Sequence, residues 1–203
     1  MTWRMTSSMT KNKLISIGID VGTVNGAISI VDEDGKILVL TKAPHYQTEI
    51  KSKRNKSKLN KETGKYEADF RKRNWVNFKK LREIFKPYEG HRIIYTIERI
   101  QCRPNEGEPA SFTNGNALGI FQGLYSYLDP IAYYEPTPTE WKSKMGLSSL
   151  KEDSIKLAEE IYEVNLKSFL SKGKIDDIAE SLLLSFYGLQ QYYESKGEKL
   201  NGN

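Results

Sequence analysis

With 203 residues the chain has the size of one ordinary domain, long enough to bury a real core, and no second domain stands out. Its net charge of +5 is concentrated rather than spread: Lys51 to Arg73 holds ten Lys or Arg against three acids, which points to a polyanionic partner. The one cysteine, Cys102, excludes an internal disulfide, and no run approaches transmembrane length or a signal-peptide core, so an intracellular protein with no membrane partner is expected.

Residues 1–12 lack periodicity and read as a flexible tail, and residues 193–203 as another, leaving 13–192 as the folded domain. Leu14 to Asp20 is a mostly apolar strand, a turn at Gly22 to Gly26 follows, and Ala27 to Val31 runs back. Asp34-Gly35 between two apolar runs is a short-range hairpin signal, which makes Ile37 to Thr41 a third antiparallel strand. From Lys42 to Arg73 apolar residues almost vanish, and the segment at about 45–73 reads as a solvated basic insertion. Trp75, Phe78, Leu81, Ile84 and Phe85 then have near-helical spacing up to Pro87. The β-branched run from Arg92 to Glu98 predicts a buried strand, Ser111 to Leu128 a helix, Ile131 to Tyr134 a short strand, and Leu150 to Val164 and Ile175 to about Gln191 two more helices.

Two of these strands end in an acid, Asp20 and Glu98, and the last helix opens on Asp176, Asp177 and Glu180. A strand of a packed sheet is costly ground for a carboxylate unless a cation or hydrogen bonds hold it there. Asp177 and Glu180, three apart, share one helical face with Ser181, and the face of Ile178, Leu182, Phe186 and Leu189 is expected on the sheet. If Asp20, Glu98, Asp177 and Glu180 meet, the counter-charge for four oxygen donors is a hard divalent ion, Mg2+ or Mn2+. Taken singly, each acid also has an ordinary reading: an Asx turn for Asp20, an ion pair with Arg99 or Arg103 for Glu98, and a helix N-terminus for the others. Neither histidine, His45 or His91, lies near the acids in sequence.

The order of three antiparallel strands, helix, strand, helix, strand and helices is that of an α/β fold of the RNase H-like kind, a mixed five-stranded sheet flanked by helices. In it the first and fourth strands are parallel neighbours joined by a right-handed crossover, which sets Asp20 beside Glu98. The motifs IGIDVGTVNGAISI, IER followed by Gln101, and DDIAESLLLSFYGL resemble those of RuvC-like Holliday-junction resolvases, in particular the compact phage and viral ones. PTPTEWKSKMGLSSLKEDS is similar to the stretch where that family carries a proline, a DNA-facing lysine, a glycine turn and a second lysine. The resemblance spans about Leu14 to Leu189, with two departures: Glu180 stands where Asp is usual, and the basic insertion is long.

What it implies is a homodimeric endonuclease in the cytoplasm of a bacterium or phage-infected cell, nicking two symmetric strands of a four-way DNA junction. Two ions would be held by the four acids, with Asp20 bridging, Glu98 and Glu180 on one ion each, and Asp177 completing the set or orienting water. DNA-binding candidates are Lys51, Lys53, Arg54, Lys56, Lys58, Arg103, Asn114, Lys142, Lys144 and Lys151. Gly115, Gly119 and Gly123 recur every fourth residue, so one helix face is smooth, either against its own sheet or against a second subunit; the resemblance favours the subunit. Trp141 reads as core. IGIDVGT with DEDGK also resembles the phosphate hairpin of sugar kinases and actin-like ATPases, but those need a second such hairpin and an adenosine site, and neither is visible. An RNA/DNA-hybrid nuclease and a catalytically inert junction binder share most of these features.

Overall fold

The computed structural model describes residues 12–51, 58–59, 62, 64, 66–67, 70–100, 107–169 and 175–200. Its strands are β1 Leu14–Asp20, β2 Ala27–Asp32, β3 Ile37–Lys42, β4 His45–Lys51, β5 Lys58–Leu59, β6 Tyr66–Glu67, β7 Phe70–Val76, β8 Arg92–Ile97 and β9 Ala132–Tyr134. Its α-helices are α1 Phe78–Phe85, α2 Glu108–Leu128, α3 Pro138–Lys144, α4 Lys151–Tyr162 and α5 Ile175–Ser195. The main sheet has five strands in the order β3-β2-β1-β8-β9, with β2 antiparallel to its neighbours β1 and β3, and β8 parallel to β1 and β9. This is the RNase H-like topology expected from the order of elements. At the first hairpin Gly35 takes φ +79°, and Asp32 Oδ1 accepts from the backbone N–H of Asp34 at 3.2 Å and of Lys36 at 2.9 Å.

Both faces of the sheet are covered, which is why β1 and β2 are buried along their whole length. Side chains alternate across a strand. Ile15, Ile17 and Ile19 of β1 join Ile93, Tyr95 and Ile97 of β8 in one cluster with Leu81 and Phe85 of α1 and Phe121 and Leu124 of α2. On the other face Leu14, Ile94 and Val31 join Trp141, Tyr162 and the leucines of α5.

Small residues bring α5 unusually close to this second face. A Cβ added at Gly18 would stand 2.0 Å from Ser181 O and 2.4 Å from Ser185 N, so the helix backbone rests directly on β1. Ser16 Oγ donates to Ser185 O and Ser29 Oγ to Ser181 O, both at 2.7 Å, and an added Cβ at Gly188 would meet Thr96 Oγ1 at 2.2 Å. The stripe of α5 closest to the sheet is therefore Ser181, Ser185 and Gly188, while Ile178, Leu182 and Leu189 of the expected row are buried beside it in the same cluster as Leu14, Val31 and Ile94. Tyr162 of α4 donates to Leu182 O at 3.1 Å, and Phe186 is only partly buried.

Three other expectations need correction. The basic insertion is not structureless: β4 and β7 form a seven-pair antiparallel ribbon from His45 opposite Val76 to Lys51 opposite Phe70, and β5 pairs with β6 beyond it. Trp75 belongs to that ribbon, opposite Tyr46, and α1 starts only at Phe78, where Asn77 Oδ1 accepts from Lys80 N at 3.1 Å. A short helix, α3, occupies part of the stretch to which the sequence assigned no element; Pro138 begins it, and Thr137 and Glu140 form a reciprocal capping box. Among the described residues no helix is long and apolar enough to cross a membrane.

The close seam makes a direct prediction. Gly18→Ala should push α5 off the sheet and cost about 1–3 kcal/mol, as overpacking does. Thermal unfolding should show a fall of several degrees; an unchanged midpoint would mean that the helix does not rest on Gly18.

Candidate active site

Asp20 is the last residue of β1, on the side of the strand that carries Ser16 and Gly18 and hence faces α5. Glu98 N donates to Ile19 O at 3.0 Å, so the β1–β8 ladder continues past Ile97 and Glu98 comes to stand beside Asp20. Asp177 lies one turn before Ser181 on α5, at the end of the stripe that rests on β1, with Glu180 three residues on. Three segments far apart in sequence thus bring carboxylates to one end of the sheet.

Their mutual effect is plainest at Asp20, which is 9% exposed. Burial holds its carboxyl well above the usual carboxylate range, and the negative charges of Glu98, Glu180 and Asp177, in that order, press it further, while Lys42 opposes them. Asp176 is absent from this set. It is one position, about 100°, round the helix, and it accepts a hydrogen bond from Lys151 instead. That bond is the first cause of the raised pKa of Lys151.

Cations and one indole dress the cluster. Lys42 Nζ lies 2.5 Å from Asp177 Oδ2, Lys142 Nζ lies 2.7 Å from Glu180 Oε1, and Trp141 Nε1 donates to Glu98 Oε1 at 2.9 Å. Trp141 and Lys142 are neighbours on α3, whose capped start fixes both. Trp141 is fully buried, so it is core as expected, with its one polar atom spent on orienting Glu98. Lys42 was not among the residues singled out by sequence. It is legible in the strand registers, because Asp20 faces Ala27 across β1–β2 and Ala27 faces Lys42 across β2–β3.

The expected four-acid ligand set is not ready-made. Among the described residues no three acids, histidines or cysteines gather closely enough to hold an ion, because Asp177 and Glu180 turn to lysines. The donor set nevertheless fits a hard divalent cation: every donor is a carboxylate oxygen, and the buried Asp20 carries like charges that the lysines only partly offset. Asp20, Glu98, Asp177 and Glu180 are the residues that would hold it.

The remaining candidates fall differently. Lys144 pairs with Glu194 at 2.5 Å, away from the acids, while Lys142 and Lys151 pair within the cluster. Lys51 is exposed at the end of β4, Lys58 begins β5, and Asn114 is half-buried on α2. Lys53, Arg54, Lys56, Cys102 and Arg103 lie outside the described residues. Gly115, Gly119 and Gly123 are exposed with open space where a Cβ would go, which rules out the helix's own sheet as the reason for them. Arg99 Nε reaches Glu135 Oε1 at 3.9 Å.

No protein-family model matches the chain, and no curated protein does. Among solved structures it is similar to Thermus thermophilus RuvC in complex with a Holliday junction substrate, at 12% identity and a TM-score of 0.48, over 91% of this chain and 98% of that one. It is also similar to a second Thermus thermophilus RuvC structure, at 14% identity and a TM-score of 0.45, with the same coverage.

A crowded buried carboxylate is strained in the absence of metal. Asp20→Asn in EDTA should therefore stabilise the fold by about 1 kcal/mol, a rise of roughly 2–4 °C in Tm for a chain this size. Asp176→Asn, which loses the hydrogen bond from Lys151, should give no such rise. Equal behaviour of the two in a thermal melt would contradict the placement of Asp20 among like charges.

Proposed function

We propose that this chain is a metal-dependent nuclease of the RuvC-like type that cuts branched DNA, with the four-way junction as its substrate. The observation that carries the reading is the convergence of Asp20 at the end of β1, Glu98 just past β8, and Asp177 and Glu180 at the start of α5 on one end of the sheet, with Asp20 buried among them. A fold gains nothing in stability from such an arrangement, so function is the reason for it. The proposed cofactor is Mg2+ or Mn2+, two ions per site, held by Asp20, Glu98, Asp177 and Glu180. When bound it supplies Lewis-acid activation of water and charge neutralisation for an in-line displacement at phosphorus.

The chain's own residues have defined tasks in this reading. Asp20 anchors the site from the sheet, where neither burial nor its neighbours let it move. Trp141 fixes the rotation of Glu98. Lys42 and Lys142 neutralise Asp177 and Glu180 and, with a metal bound, would be placed to meet the phosphate, while Lys151 holds Asp176. The ribbon residues Lys51, Arg71, Lys72 and Arg73 extend a basic surface from the root of the site, and electrostatic contact with the DNA backbone follows. Junction selectivity rests on the RuvC-like motifs. Paired nicks need two sites related by a two-fold axis, for which we propose a homodimer built on the open glycine face of α2, Gly115, Gly119 and Gly123.

Purified protein with Mg2+ or Mn2+ should nick a four-way junction in preference to linear duplex or RNA/DNA hybrid. Asp177→Asn should abolish cutting by at least about 100-fold while junction binding holds or tightens, since a negative charge near phosphate is removed; such effects are typical of lost electrostatic groups. Asp176→Asn should retain most activity. Loss of cutting with Asp176→Asn but not Asp177→Asn would shift the α5 register by one residue, and no cutting of any substrate in either metal would end the nuclease reading.

A further inference from the structure

Beside the acidic end of the sheet, the β4–β7 ribbon leans against the N-terminal half of α2. One face of the ribbon carries Tyr46, Thr48 and Ile50 on β4 opposite Trp75, Arg73 and Arg71 on β7. Trp75 Nε1 donates to Thr48 Oγ1 at 2.8 Å, and the Arg73 guanidinium lies over both Trp75, at 5.6 Å, and Phe112 of α2, at 6.0 Å. Between ribbon and helix opens a cleft of about 530 Å³, lined by Tyr46, Trp75, Phe78, Lys79, Asn116 and Ile120 among others. That is within the range of about 300–1,000 Å³ usual for sites that take a small ring system.

Two features of the cleft are unusual for a surface. Tyr46 and Phe78, which both line it, are each 48% exposed, so two aromatic faces that could have been buried are held open around one hollow. The surroundings also carry positive charge: Lys79 lines the cleft, and Arg73 lies over Trp75, one of its walls. Interfaces between proteins are depleted in lysine at their cores, whereas aromatic platforms set among cations are how proteins hold single-stranded nucleic acid.

We infer that this cleft receives one unpaired nucleobase of the DNA strand, stacked against Tyr46 and Phe78, with the Asn116 amide at the base edge. The inference rests on the nuclease reading and adds what selects the substrate. A base in intact duplex is already stacked and paired and cannot enter, whereas one at a branch point can. The position fits: Ala43 N donates to Gly26 O and Asn77 N to Pro44 O, both at 2.7 Å, which roots the ribbon beside Lys42. Tyr46 is four residues beyond Lys42, so the cleft lies within roughly 14 Å of the acids' lysine even if the chain between them is fully extended.

The test uses the full chain in EDTA, which prevents cutting, and fluorescence anisotropy with two probes: oligo-dT and a blunt, fully paired duplex of equal length. Tyr46→Ala and Phe78→Ala replace exposed side chains, and a thermal melt checks that both variants fold. Each should weaken oligo-dT binding by roughly 5- to 150-fold, the usual effect of losing one stacking partner, and leave duplex binding within about two-fold. Phe70→Ala, at an exposed aromatic on the other ribbon face, should change neither. Equal losses on both probes, no loss on either, or altered sedimentation with DNA binding untouched would overturn the inference, the last by making the cleft a protein contact. If the wild type cuts junctions in Mn2+ while the cleft variants bind oligo-dT normally, only this inference falls. If the variants lose oligo-dT selectively and the wild type cuts nothing, the cleft stands and the nuclease reading falls; if the wild type binds neither probe, both fall.

Discussion

The constraint on which the rest of the structure depends is the direct contact of α5 with β1. A helix normally stands off a sheet by the thickness of its side chains; here Gly18 removes one layer, and Ser181 and Ser185 hydrogen-bond their backbone carbonyls to strand serines across the gap. The helix is then fixed in translation and rotation at once. Because Asp177 continues the stripe of Ser181 and Ser185 by one more turn, the same contact delivers it to Asp20. Polar hydroxyls in a core are costly when unpaired, and these are paired to the helix, so the seam specifies position as well as holding it.

The acids at the end of that seam show a second, opposing pressure. Asp20 is buried and surrounded by Glu98, Glu180 and Asp177, and Lys42 counteracts the crowding there. Lys42 and Lys142 satisfy Asp177 and Glu180, and the Trp141 indole satisfies one oxygen of Glu98. The result is a cluster that holds together without metal and is still short of positive charge at its most buried member. Under the proposed function, that shortfall is what a divalent cation would fill.

Much of this was legible in the sequence, for identifiable reasons. The meander from Leu14 to Lys42 announces itself by apolar runs and by Asp34-Gly35, and the β-branched run before Glu98 marks β8. The ribbon was not legible, because strand pairing between His45–Lys51 and Phe70–Val76 leaves few buried positions, and the short alternation of Tyr46, Thr48 and Ile50 with polar neighbours is submerged in a basic, polar stretch. Trp75 was drawn into α1 because Trp75, Phe78 and Leu81 mimic helical spacing; the cap residue Asn77 is the local signal that separates strand from helix. On α5 the apolar row of Ile178, Leu182 and Leu189 was legible, whereas the Ser and Gly of the closest seam carry no hydrophobic signal. Lys42 was missed since a lone lysine at a strand end has no motif; only counting registers across two hairpins reaches it.

The claim that these carboxylates form one metal site is tested most directly by calorimetric titration of Mn2+ into the wild type, Asp20→Asn and Asp176→Asn. The account predicts saturable binding to the wild type, loss of it in Asp20→Asn, and its retention in Asp176→Asn, whose carboxylate is turned to Lys151. Identical isotherms for all three proteins would contradict it.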